Sequence, residues 1–245
     1  DREGENVGEV LRGLDWSVLE KIALSIVPAL ICVVLHEISH GLVALWLGDP
    51  TAKNAGRLSL NPIRHLDVVG LLFMATVGYG WARPVPIDPR YFKNPKRGMA
   101  LTALAGPVMN ILITLVTLFL YGLILGLTGG GGALAAFFSA TAVTTAYLSL
   151  SLAVFNLIPI PPMDGSKVLF SLASDETYFK IMRYERFGLI LILILSVSGK
   201  LWEPLGSVID AVFEALLGVS RSGFSLARRL MALFGAAKTG QGVGA

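Results

Sequence analysis

The sequence predicts an all-α, polytopic membrane protein with about five or six transmembrane helices. Hydrophobic residues make up 54% of its 245 residues and charged residues only 15%, whereas charged residues make up about a quarter of a typical soluble domain. Many of the apolar residues lie in continuous runs, as expected of helices that cross a hydrocarbon core of about 30 Å. We therefore expect residues 1–245 to form a single integral membrane domain.

Five apolar runs are predicted to be helices. The first, Ile22–Leu47, is long enough to span the bilayer at about 1.5 Å per residue. The last two runs are short and are separated by a segment that contains Gly199, Lys200 and Pro204. They could form two thin helices or one kinked element. The four later runs are Met99–Leu127, Ala133–Ile158, Phe187–Val197 and Leu205–Leu217.

The segment Val68–Tyr79 is apolar but short and rich in glycine. A run of this length more often forms a re-entrant or interfacial piece than a span. The flanking segments, Ala55–Pro62 and Trp81–Pro89, have the proline, glycine and β-forming residues of short strands and turns. We therefore expect a small membrane-associated β element between the first span and the Met99–Leu127 span.

The C-terminal tail combines apolar residues with arginines over Ser220–Phe234. This pattern favours a basic amphipathic helix on the membrane surface. The domain is thus expected to consist of a core over about 17–170, C-terminal helices over 185–218 and a tail over 220–245. The basic residues cluster in loops, so we expect no nucleic-acid partner, whereas self-association of the chain is left open.

The first apolar run contains the pentapeptide His36–His40, HEISH. Residues four apart share one face of a helix, so His36 and His40 can both bind one zinc ion. Glu37 lies beside them, where a carboxylate takes a proton from a zinc-bound water. Ionisable groups at membrane depth are costly, which disfavours a purely structural role.

A catalytic zinc usually has three protein ligands. The best further candidate is Asp164, which follows an apolar helix and three prolines. The alternative is that Asp164 caps a helix over Ser166–Leu172. Cys32 lies one turn before His36 and could reach the site, but a buried cysteine more often only packs.

The three ligands must meet at one depth in the membrane. His36 and His40 lie in the C-terminal half of the first span, and Asp164 follows the end of the Ala133–Ile158 span. These ends are on the same side only if Val68–Tyr79 is re-entrant. The metal hypothesis therefore favours about five spans, an N-terminus outside and a site near the cytoplasmic face.

Three motifs occur in order on or beside apolar spans: His36–His40, Gly106–Asn110 and Asn156–Gly165. Together they resemble the motifs of the site-2 proteases, a family of intramembrane zinc metalloproteases. The resemblance covers about Leu35–Val168, and GRLSLNPIRHLD and WARPVPIDP resemble the linker of a compact bacterial branch that lacks PDZ and CBS domains.

The resemblance implies a three-helix catalytic core in which His36, His40 and Asp164 hold one Zn²⁺. It implies that Glu37 is the general base for hydrolysis of peptide bonds in or next to a substrate's transmembrane segment. Asn110 and Asn156 are expected to bind the substrate backbone or the oxyanion, or else to bond between spans.

His65 lies outside the three motifs, and we favour an interfacial position for it over a role as ligand or gate. The expected partners are a transmembrane protein substrate and the lipid bilayer, in a bacterial plasma membrane. Two other functions are weighed: a membrane metal-binding protein or transporter, and a non-catalytic scaffold. A transporter would usually show paired, similar halves, which the sequence lacks.

Overall fold

The structure, a computed structural model, is mostly helical and describes residues 16–77 and 80–239. Residues 1–15, 78–79 and 240–245, which belong to the predicted domain, re-entrant segment and tail, lie outside the described residues. The α-helices within the described residues are α1 (Trp16–Trp46), α2 (Thr51–Asn54), α3 (Val68–Val77), α4 (Pro95–Thr128), α5 (Ala133–Asn156), α6 (Asp164–Phe170), α7 (Asp175–Arg183), α8 (Glu185–Val197), α9 (Trp202–Leu216) and α10 (Gly218–Thr239).

Three of the described helices are long and apolar enough to cross a membrane: α1 from Leu24, α4 and α5. A fourth span is present only if α8 and the helical stretch Trp202–Leu233 are counted together as one span. These two parts are bent by 86° at the break between them. The expected five or six spans are therefore not found in the described residues. The reason is length, since the 13 residues of α8 reach only about 20 Å.

Helix α4 lies at the centre of the bundle. It packs against α1, α5, α6 and α10. His40, in the second half of α1, contacts Thr102 of α4. His36 of α1 contacts Asp164, the first residue of α6. Both contacts lie at one end of the bundle. The fold thus brings the C-terminal half of α1, the N-terminal half of α4 and the segment after α5 together.

The C-terminal tail is helical over residues 218–239, and α10 packs along α4. A Cβ atom on Gly122 would overlap the carbonyl of Ser220, and one on Gly223 would overlap the carbonyl of Phe119. Small residues that let helix backbones approach are typical of packing between membrane helices. The amphipathic pattern did not predict this contact, and the position of the tail on the membrane surface stays a prediction.

The segment between α1 and α4 contains no β-sheet in the residues that the structure describes. It has one isolated antiparallel bridge, between Leu66 and Ala82, so the expected β element is not supported. Pro84, Pro86 and Pro89 lack the N–H that a strand ladder needs. The ten residues of α3 form a helix of about 15 Å, too short to cross the bilayer.

Candidate active site

Three buried side chains meet between α1 and α6. One ligand atom from each of His36, His40 and Asp164 lies within 4.8 Å of the other two. Asp164 Oδ2 is 3.3 Å from His36 Nε2 and 3.2 Å from His40 Nε2. Tetrahedral zinc with bonds of about 2.0–2.1 Å separates neighbouring ligand atoms by about 3.4 Å, so the cluster fits such an ion.

Asp164 is placed by the start of α6. It is the first residue of the helix, after Met163 as N-cap, so it does not occupy the capping position that sequence reasoning left open. Its other oxygen, Oδ1, lies 3.6 Å from Lys167 Nζ. Burial raises the pKa of this carboxyl, but its contacts with the rings of His36 and His40 outweigh burial and hold its pKa below the usual value. Asp164 therefore offers a carboxylate that could hold a metal.

The ring of His40 is oriented by α4. Its Nδ1 lies 2.7 Å from the carbonyl oxygen of Thr102. A carbonyl only accepts, so Nδ1 carries the proton and donates it. The lone pair on Nε2 is then free for a metal, as in most histidine metal ligands.

The ring of His36 is oriented by Asn110. The amide Nδ2 of Asn110 is assigned 3.1 Å from His36 Nδ1, which would leave the imidazole proton on Nε2. The amide Oδ1 of Asn110 is buried and has no partner in the described part of the chain. Rotating the amide lets Oδ1 accept a hydrogen bond from Nδ1–H, and this orientation frees His36 Nε2 for a metal.

Gly106 provides the space in which the two imidazoles converge. A Cβ atom at this position of α4 would lie 2.5 Å from His36 Nε2 and 2.6 Å from His40 Cε1. The motif Gly106–Asn110 was predicted, but this steric role was not. The spacing could have indicated this role, because residues four apart share one face of a helix and Gly106 therefore lies on the same face of α4 as Asn110.

Glu37 lies at the edge of a cavity of about 280 Å³ that the metal cluster also lines. Its Oε2 accepts a hydrogen bond of 2.9 Å from the backbone N–H of Val85. The segment around Val85 thus forms the wall opposite α1. The same cavity is lined by Trp81, Ala82, Pro84, Val85, Ile87, Met99, Ala103, Asn156, Pro162, Met163, Lys167, Glu185 and Leu189.

The two predicted asparagines have different positions. Asn156 ends α5 and lines the cavity, with its Nδ2 donating to the carbonyl of Leu152 at 2.9 Å. Asn110 is fully buried and faces His36 rather than the cavity. A substrate in the cavity would therefore meet Asn156, whereas Asn110 contacts a metal ligand.

His65 and Cys32 lie outside the metal cluster. His65 is fully buried within the protein, and its Nε2 donates to the carbonyl of Ser59 at 2.8 Å; its predicted position at the membrane interface stays a prediction. Cys32 is buried, with Sγ 3.7 Å from the carbonyl of Thr145. His65 therefore holds the linker between α1 and α4, and Cys32 packs between α1 and α5.

Comparisons with known proteins identify the family of the chain. The family model described as Peptidase family M50 matches residues 122–196, which include Asn156 and Asp164. No solved structure matched significantly.

Curated relatives match over a larger part of the chain. "Putative zinc metalloprotease YwhC" of Bacillus subtilis is 38% identical over 196 residues, which cover 76% of this chain and 85% of the relative. "Putative zinc metalloprotease Rip2" of Mycobacterium tuberculosis is 30% identical over 200 residues, which cover 78% and 73%. These matches confirm the family that the three motifs predicted: the chain belongs to peptidase family M50, the site-2 protease family.

Proposed function

We propose that this multi-pass membrane protein is a zinc-dependent endopeptidase that cleaves peptide bonds in or next to transmembrane segments. The observation that carries the proposal is the convergence of His36, His40 and Asp164 beside a cavity that Glu37 also lines. The names of both relatives include zinc metalloprotease, which supports zinc as the metal.

A zinc ion held by His36, His40 and Asp164 would supply the Lewis acidity that activates water and polarises a carbonyl at neutral pH. The chain itself supplies the proton acceptor. The Val85 N–H fixes Oε2 of Glu37, leaving Oε1 to accept a proton from the attacking water. The same carboxyl can then donate the proton to the amine that leaves.

The position of the ligands supports cleavage within the membrane. His36 and His40 lie on α1, which is long and apolar enough to span the bilayer. Both are nearer its C-terminal end, and we place this end near the cytoplasmic face of a bacterial plasma membrane.

The substrate must be extended before it can react. A helix has its backbone groups bonded internally and cannot present a carbonyl to a metal. The cavity lies between α1, α4, α6 and the non-helical segment that contains Val85. We propose that a locally unwound transmembrane segment enters there and that the amide of Asn156 binds its backbone or the oxyanion.

The test compares the intact protein with Glu37→Gln in a reconstituted bilayer. Zinc content should stay at about one ion per chain, because Glu37 is not one of the three ligands. Cleavage of a transmembrane model substrate should fall about 10²- to 10⁴-fold, the usual contribution of a general base.

Glu203→Gln is the matched control, since Glu203 is exposed and lies outside the cavity. Equal cleavage by Glu37→Gln and the intact protein would reject the proposal. Binding of zinc without any cleavage by the intact protein would instead favour a metal-binding protein or a scaffold.

A further inference from the structure

The linker between α1 and α4 holds a second cavity. It is open, has a volume of about 650 Å³, and is lined by Arg57, Arg64 and Arg83 together with one alanine and two prolines. None of the three arginines belongs to the metal cluster or lines the cavity beside Glu37, although Pro84 lines both cavities. Three guanidinium groups therefore surround one space for which the proposed protease chemistry has no use.

These arginines have no carboxylate partner within ion-pair distance in the described ranges. Instead, Arg57 Nη2 donates to the carbonyl of Arg83 at 2.6 Å, and Arg64 Nη1 donates to the carbonyl of Gly56 at 2.5 Å. Such bonds orient the guanidinium groups of Arg57 and Arg64 but do not neutralise them. An anion in the cavity would supply the missing charge.

Arg57 is the most constrained of the three. It is only 8% exposed, and its Nε has no hydrogen-bond partner among the described residues. Burial lowers its pKa; the Glu37 carboxylate raises it, and the positive charge of Arg83 lowers it. A bound anion would act in the same direction as Glu37 and relieve the repulsion from Arg83.

Large apolar side chains are exposed in the same linker. Leu60 is 73% exposed and Ile63 is 76% exposed, and both lie between Arg57 and Arg64 in the sequence. Val68, which begins α3, is 82% exposed. Basic groups next to exposed apolar side chains are typical of a surface that meets the headgroups and the upper acyl chains of a bilayer.

We propose that the cavity between Arg57, Arg64 and Arg83 binds the phosphate of an anionic phospholipid headgroup. The planar guanidinium group matches the oxygens of a phosphate and can form two bonds to it. Leu60 and Ile63 would contact the acyl chains of the same lipid. This site is separate from the metal centre and requires only that the chain lies in a membrane.

The lipid would act on the active site through the backbone. Arg57 holds the carbonyl of Arg83, and the N–H of Val85, two residues later, holds Glu37 Oε2. A phosphate that fixes Arg57 and Arg83 therefore restrains the segment that orients the proposed base. Anionic lipid should increase turnover without changing zinc content.

The experiment measures binding of phosphatidylglycerol, with phosphatidylcholine as the neutral reference, by native mass spectrometry of the full chain. The variant Arg64→Gln/Arg83→Gln should bind phosphatidylglycerol about 100-fold more weakly, because two charge-assisted bonds are lost. Lys53→Gln/Lys93→Gln removes the same charge from exposed positions outside the cavity and should bind like the intact protein.

Inorganic phosphate at matched concentration is the second arm. The lipid assignment is supported if inorganic phosphate binds weakly and the arginine double variant loses affinity for phosphatidylglycerol. Inorganic phosphate that binds as tightly as the lipid overturns it in favour of a site for soluble anions. An equal decrease in affinity for phosphatidylglycerol in both double variants also overturns the assignment, because a general charge effect would then explain the binding. None of these readouts depends on proteolysis, so they cannot be confused with failure of the proposed function.

Discussion

The helical bundle and the linker between α1 and α4 hold neighbouring parts of one site by different means. The bundle fixes the metal ligands: α1 supplies two imidazoles, and α4 orients both through Thr102 and Asn110. The linker fixes Glu37 through one backbone hydrogen bond, from Val85. Metal binding is therefore distributed over several packed helices, whereas the orientation of the proposed base depends on a non-helical segment.

This difference predicts two classes of variants. Changes to the three candidate ligands, or to the residues of α4 that orient them, should lower metal affinity, and activity should fall as a consequence. Changes in the linker should lower the rate at full metal occupancy. The following predictions test this separation.

Asp164→Asn should have the largest effect, with loss of stoichiometric zinc and of cleavage. The change removes the negative charge from the cluster and leaves the size of the side chain almost unchanged. Zinc content after dialysis measures the effect. Asp175→Asn is the control, because Asp175 is exposed and pairs with Lys96 instead. Zinc retained by Asp164→Asn would show that the third ligand is a different residue.

Gly106→Ala should also lower zinc affinity, by at least about 10- to 100-fold, the range seen when groups that orient ligands are changed. The added methyl group would occupy the space of the two imidazoles. Competition with a chelator measures the affinity. Gly206→Ala places the same methyl group in α9 with no atom within 4 Å, so its affinity should be unchanged. Equal affinity for both variants would show that the rings do not need this space.

Asn110→Leu should lower zinc affinity about 10- to 100-fold, because His36 Nδ1–H loses its acceptor. Asn110→Asp should retain most of the affinity, since a carboxylate accepts the same hydrogen bond. Cobalt(II) absorption gives both the affinity and the ligand geometry. If Asn110 were instead a donor to the oxyanion, both variants would bind metal normally and both would lose turnover.

Val85→Pro should have the smallest effect, a decrease of about tenfold in kcat/KM at unchanged zinc content. It removes a hydrogen bond to a charged group. Val85→Ala keeps the N–H and shortens the buried side chain, so the difference between the two variants isolates the hydrogen bond. Zinc lost from Val85→Pro alone would contradict the separation between bundle and linker.

The regular part of the site could be predicted from the sequence. The spacing of His36 and His40, and the position of Asp164 after an apolar helix, suffice because helix geometry and membrane depth constrain them. The spans Met99–Leu127 and Ala133–Ile158 correspond closely to α4 and α5, since long apolar runs have few alternatives.

The remaining features depend on tertiary contacts. The sequence predicted a β element around Val85, but the prolines leave only one bridge among the residues that the structure describes. The amphipathic pattern of α10 did not reveal its contact with α4, which depends on glycines in both helices. The bend between α8 and α9 was one of two alternatives, because Gly199 permits either a break or a kink.

The separation of the ligands along the chain gives the metal a further consequence. His36 and Asp164 are far apart in the sequence, with α4 and α5 between them, and one ion would join them. In topological terms, the ion closes a long covalent loop, as a disulfide does in other proteins. The chain has a single cysteine and cannot form an internal disulfide, so a metal bound at this site would be the cross-link that a disulfide cannot provide.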